Sequence, residues 1–102
     1  MEFEHALIVS FPMPAMSSGT QEDLFDFEER IEAAITAADA GEFDGDLIGR
    51  GECVLYMYGP DADRLFGVVE PLLRASPLTR GGYAVKRYGA AGSGAREERV
   101  PL

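Results

Sequence analysis

Two stretches with apolar residues at three- and four-residue steps flank a pair of β-rich runs joined by Gly49-Arg50-Gly51, and no other feature constrains the fold as strongly. In the first, Leu24, Phe27, Ile31, Ala34, Ile35 and Ala38 form one stripe, with Gly41 as a stop. Ser18 or Thr20 is a candidate cap, Gln21 stands in capping-box position to Ser18, and Glu22 and Asp23 sit near the positive end of the helix. The second stretch runs from Ala62 to about Ala75 behind Asp61 as cap, with Leu65, Val69, Leu72 and Leu73 inward. Pro71 removes a donor there and crowds the carbonyl four residues back. That residue is Gly67, so the reading is a kinked helix and not a broken one.

Between the helices, Phe43 to Ile48 and Glu52 to Tyr58 read as a hairpin on a short glycine turn. Phe3 to Phe11 reads as a first strand, followed by a loop containing Pro12, Pro14, Ser17, Ser18 and Gly19. Gly82 to Gly89 reads as a fourth strand. The order β-α-β-β-α-β predicts a ferredoxin-like, split βαβ fold: an antiparallel four-stranded sheet in the order 4-1-3-2, with both helices on one face. Residues 1–89 are expected to form this single α+β domain. Ala90 to Gly94 reads as a flexible linker, and residues 96–102 as a tail or a short added strand.

Composition excludes several chemistries. At 102 residues the chain holds one core. No apolar run reaches the roughly 20 residues of a membrane span, and the first residues carry acids where a secretion signal carries cations, so a cytoplasmic protein without membrane attachment is expected. Cys53 is the only cysteine and sits in an apolar run, which rules out an intramolecular disulfide and reads as a buried small side chain. His5 is the only histidine, so no multi-histidine metal site forms, and it reads as a strand residue without chemistry. No cofactor is called for and no activated nucleophile is evident near Ser17 and Ser18. The chain reads as a non-enzyme. If an acid–base pair were sought, Asp44 with Glu52 would be the candidates.

Charge is unevenly spread. Residues 1–52 hold thirteen carboxylates against two arginines, a net −11, while residues 53–102 hold five against seven cations, a net +2. Such a field opposes polyanions and favours cationic partners or the basic end of another copy. Helix one carries Asp26, Glu28, Glu29, Glu32 and Asp39 outward, a surface able to dock on a basic partner.

Two clusters are candidate sites. Asp44, Asp46 and Glu52, interleaved with glycines, offer oxygen ligands, but the spacing fits no EF-hand and the glycines match no phosphate loop. In a strand Asp44 and Asp46 would point the same way, as edge charges or acidic contacts. The second cluster is an expected open sheet face: with Leu55 and Met57 against the helices, Val54, Tyr56 and Tyr58 would join Ala84, Lys86 and Tyr88. The geometry is like the aromatic platform of RNA recognition motifs, yet the RNP1 pattern is missing and the net charge is −9, so no nucleic acid is expected.

Phe43 to Phe66 (F-D-G-D-L-I-G-R-G-E-C-V-L-Y-M-Y-G-P-D-A-D-R-L-F) and Arg80 to Gly89 resemble a group of small, functionally uncharacterised bacterial proteins that share the acid-glycine hairpin and the Y-G-x-D-A-D helix start. The resemblance covers about half the chain and implies no activity. Eight arginines to one lysine, with many Ala and Gly, fit a high-GC bacterial genome. The leading expectation is an interaction or regulatory domain that forms a homodimer through the open sheet face. The alternatives are a small-ligand or metal-binding domain using the Asp44/Asp46/Glu52 hairpin, and an immunity-like acidic inhibitor of a basic partner.

Overall fold

A computed structural model describes residues 4–13 and 18–102. The expected start of the first strand at Phe3, the loop at Pro14 and Ser17, and the capping side chains Ser18, Thr20 and Gln21 lie outside what is described.

The chain forms β1 (His5–Pro12), α1 (Ser18–Ala37), β2 (Glu42–Gly49), β3 (Glu52–Gly59), α2 (Ala62–Ala75), a 3-10 turn (Pro77–Thr79), β4 (Tyr83–Arg87) and β5 (Glu97–Pro101). The fold is α+β, with two helices and a five-stranded antiparallel sheet in the order β2-β3-β1-β4-β5. The expected count of four strands is corrected by β5. Its pairing with β4 is locked by Tyr88 N–H to the Arg96 carbonyl at 2.9 Å and Leu102 N–H to the Gly82 carbonyl at 3.1 Å, and Val100 and Leu102 pack on the core.

Period-two alternation places Leu7, Val9 and Phe11 of β1 and Cys53, Leu55 and Met57 of β3 on one face, all fully buried or nearly so. Leu24, Phe27, Ile31 and Ile35 of α1 and Leu65, Phe66, Val69 and Leu73 of α2 close over that face, so both helices lie on one side. Phe66 joins the core although the helical stripe read from sequence omits it, while Leu72, which that stripe includes, is only partly buried. Helix α2 runs unbroken through Pro71.

The ends of the helices are held by specific groups. Asp61 Oδ1 accepts from the N–H groups of Asp63 (3.0 Å) and Arg64 (3.3 Å), as a capping aspartate does. The remaining first-turn donor, Ala62 N–H, is taken by His5 Nδ1 at 3.1 Å. His5 is therefore more than a strand residue: it caps a helix 57 residues away in sequence. The Arg64 guanidinium reaches back to the carbonyls of Ala38 and Asp39, satisfying the end of α1 from the start of α2.

The hairpin turn is tighter than the three-residue reading. Gly49 pairs with Glu52, leaving Arg50 (φ 53°) and Gly51 (φ 78°) as a two-residue turn with both central residues left-handed, the form whose twist matches the strands. At the other end of β2, Gly41 has φ 147° and a Cβ there would lie 2.0 Å from the Tyr58 carbonyl oxygen. Two backbones meet here, and neither can yield to a side chain. Gly41→Ala is expected to destabilise the fold by more than about 2 kcal/mol, read from the midpoint of urea denaturation followed by circular dichroism.

Candidate interaction surface

The side of the sheet opposite the helices is built row by row from the strand register. Gly45, Tyr56, Ile8, Val85 and Arg99 lie across from one another on β2, β3, β1, β4 and β5. The next row is Leu47, Val54, Ser10, Tyr83 and Pro101, and the third is Glu42, Tyr58, Ala6, Arg87 and Glu97. Directly opposed residues in antiparallel strands share a face. This face therefore carries Tyr56, Tyr58, Val54, Ile8, Tyr83 and Val85, all half-buried, and both described helices pack on the opposite face.

This corrects the composition expected from sequence. Val54, Tyr56 and Tyr58 are on the open face, but Ala84 and Lys86 pair with Val9 and Leu7 and so face the helices. Ala84 is fully buried in the core. Tyr88, past the end of β4, turns the same way: its hydroxyl donates to Asp63 Oδ1 at 2.6 Å. Lys86 Nζ reaches the same oxygen at 3.0 Å, approaches Glu98 Oε1 at 3.5 Å and stands 5.4 Å from the centre of the Phe66 ring. The hydrogen bonds from Tyr88 and Lys86 hold the Asp63 carboxyl below the usual range, and Asp63 in turn raises both Lys86 and Tyr88. These side chains fasten α2 to β4 and β5.

The edge of the open face toward β5 carries Arg87 and Arg99, with Glu97 opposite Arg87. The Arg99 guanidinium lies over the Tyr83 ring at 3.6 Å, a cation–π contact of about 0.5–1 kcal/mol at an exposed site. Arg87 is also on this face, with Nε donating to the Gly89 carbonyl at 2.7 Å. On β2 this face carries Glu42, and at the hairpin end of β3 it carries Glu52, between Pro12 and Gly49.

The three hairpin acids do not converge. A bulge between Phe43 and Gly45 takes Asp44 out of the ladder, so Asp44 and Asp46 do not share the simple spacing assumed from sequence. Asp46 pairs with Leu55 and faces α1, while Glu52 lies on the other face. No group of three or more His, Cys, Asp or Glu side chains placed to hold a metal ion occurs among the described residues. No helix described is long and apolar enough to cross a membrane.

Asp46 meets Glu28 of α1 instead, a contact that sequence spacing does not reveal. Burial, a hydrogen bond with Asp46 and the Asp46 charge push Glu28 up to about 8. Cys53 lies behind them, fully buried, and burial with the charges of Asp46 and Glu28 pushes its thiol up to about 12, so it is a core side chain without thiolate reactivity. Glu28, Asp46, Glu29, Glu32, Phe25 and Phe43 line a shallow groove of about 390 Å³ between α1 and β2.

No protein-family model, no curated protein and no solved structure matches this chain.

The Glu28 carboxyl gives a stability test. Its folded value lies above the unfolded one, so between about pH 4.5 and pH 8 the folded chain holds a proton that the unfolded chain has lost. Stability attributable to this group is full below that window and declines until about pH 8. Glu28→Gln keeps a neutral partner for Asp46 at every pH. It is expected to match the wild type near pH 4.5 and to exceed it by about 1–2 kcal/mol at pH 9, after allowance for solvent screening, in urea titrations at the two pH values.

Proposed function

We propose that this chain is a non-enzymatic, cytoplasmic interaction domain that pairs with a second copy through the open sheet face. One observation carries the reading: six half-buried apolar and aromatic side chains, Ile8, Val54, Tyr56, Tyr58, Tyr83 and Val85, form a contiguous patch on the face away from both described helices. Patches of this kind on a lone domain mark interfaces, and tyrosine is enriched at their centres.

The choice of a second copy rests on charge. Arg87 and Arg99 flank the patch on the β4–β5 side, with Glu97 opposite Arg87, and Glu42 and Glu52 lie on the β2–β3 side. A twofold axis running along β1 in the plane of the contact sets the acidic edge of each copy over the basic edge of the other. Tyr56, next to Ile8 near the middle of the sheet, is then the centre of the contact. The antiparallel pairing of β4 with β1, β1 with β3 and β3 with β2 favours reading these strands as ferredoxin-like, with β5 widening the platform.

Sedimentation equilibrium is expected to give a dimer for the wild type at about 100 μM and at least a tenfold weaker one for Tyr56→Ala. Arg99→Glu is expected to weaken the dimer and reduce its sensitivity to salt. A wild-type monomer at that concentration removes the proposal, and a dimer indifferent to both substitutions moves the interface elsewhere.

A further inference from the structure

We propose that the outer edge of β2 is a second docking site, distinct from the open face, which takes an extended peptide segment alternating basic and aliphatic residues as a sixth strand of the sheet. Three observations meet there. β2 ends the sheet order, so among the described residues its outward N–H and carbonyl groups have no strand partner. The large hydrophobic side chains most exposed among the described residues gather at this edge: Leu47 (62%) on the open face, Ile48 (40%) on the helix face, and Phe25 (65%) on the wall of the adjoining groove. That groove carries four carboxyl groups, Glu28, Glu29, Glu32 and Asp46, beside the phenyl rings of Phe25 and Phe43.

The other edge of the sheet is built differently. β5 carries Glu97, Glu98, Arg99 and Pro101, the mixture of charges and proline that blunts an edge against pairing. In β2 the bulge at Phe43–Gly45 blunts only the first half, and Asp46 to Gly49 continue as regular ladder without proline or lysine.

Charge selects the occupant. Pairing β2 with β2 of a second copy would set Asp44 and Asp46 against the like residues and bring together two α1 faces rich in acids. A basic strand removes that repulsion. Its alternating side chains divide as a strand requires: lysines on the helix side enter the groove beside Asp46 and the phenyl rings, and aliphatic residues on the other side extend the apolar surface from Leu47. The backbone ladder supplies affinity and the groove supplies selection, as in other cases of strand addition.

The test uses the full chain and three fluorescent heptapeptides: alternating Lys-Val, the same peptide N-methylated at alternate backbone nitrogens, and alternating Glu-Val. Anisotropy is expected to show the Lys-Val peptide binding with a Kd on the order of 10–100 μM, at least tenfold weaker binding after N-methylation, and none of the Glu-Val peptide. Leu47→Ser, at an exposed site, is expected to fold normally and bind several-fold more weakly. Amide shifts in NMR titration are expected to centre on residues 45–49. Equal binding of the N-methylated peptide reduces the effect to charge attraction and overturns strand addition. Shifts centred on Tyr56 and Val85 place the peptide on the open face and overturn the site. Shifts at residues 45–49 that depend on protein concentration without peptide make a second copy the occupant and overturn the choice of partner. No binding of the Lys-Val peptide at about 1 mM overturns the proposal outright.

Discussion

The whole architecture depends on β1, His5–Pro12, pairing with β3 along its length and with β4 through its middle. Each residue from Ala6 to Ser10 sits between a partner on β3 and a partner on β4. A strand held this way has its side-chain phase set from two directions, and slipping by one residue would move Leu7, Val9 and Phe11 from the core to the surface. Because these three side chains are the floor on which α1 and α2 pack, the register of β1 also determines which face of the sheet is left uncovered. Even the first turn of α2 depends on it, through the His5 imidazole at Ala62 N–H.

Charge serves the fold more than the sequence balance implies. Of the seven cations in residues 53–102, six are engaged within the chain: Arg64 on the end of α1, Arg74 on Glu70, Lys86 on Asp63 and Glu98, Arg87 on the Gly89 carbonyl, and Arg96 and Arg99 on the rings of Tyr88 and Tyr83. Among the described residues, the acids of the first half are less often paired. Asp26 meets Arg30 at 3.8 Å in an exposed pair worth little, and Glu28 meets another acid. The basic half is thus largely self-satisfied, and the unspent charge of the molecule is acidic. That asymmetry distinguishes the two proposed interaction surfaces: an open face that carries both signs, and a β2 edge that carries one.

The fifth strand alters the molecule's surface as much as its count of strands. Without β5, β4 would be an exposed edge, and the open face would end at Tyr83, Val85 and Arg87. With it, Arg99 is carried over the Tyr83 ring and the apolar patch gains a cationic border. The segment also brings Glu98 beside Lys86 on the far side, so a single five-residue strand contributes to both layers.

The sequence by itself determined both helices, the hairpin, the order of the first four strands' appearance along the chain, and the burial of Cys53. Each of these follows from local signals: a 3.6-residue or two-residue period, an Asp cap, a glycine turn. Val54, Tyr56 and Tyr58 were legible as an exposed row because Cys53, Leu55 and Met57 between them are the more apolar set. For β4 that comparison fails, since Tyr83, Val85 and Arg87 are about as amphipathic as Ala84, Lys86 and Tyr88. Only the pairing of Ala84 with Val9, and the reach of Lys86 and Tyr88 to Asp63, decided the phase. The tertiary structure alone likewise placed β5 against β4, assigned His5 to the cap of α2, and brought Glu28 to Asp46 across a bulge that shifts the face of every residue after it. Local periodicity fixes what a segment becomes. Which of two equally polar faces is buried is settled by partners distant in the chain.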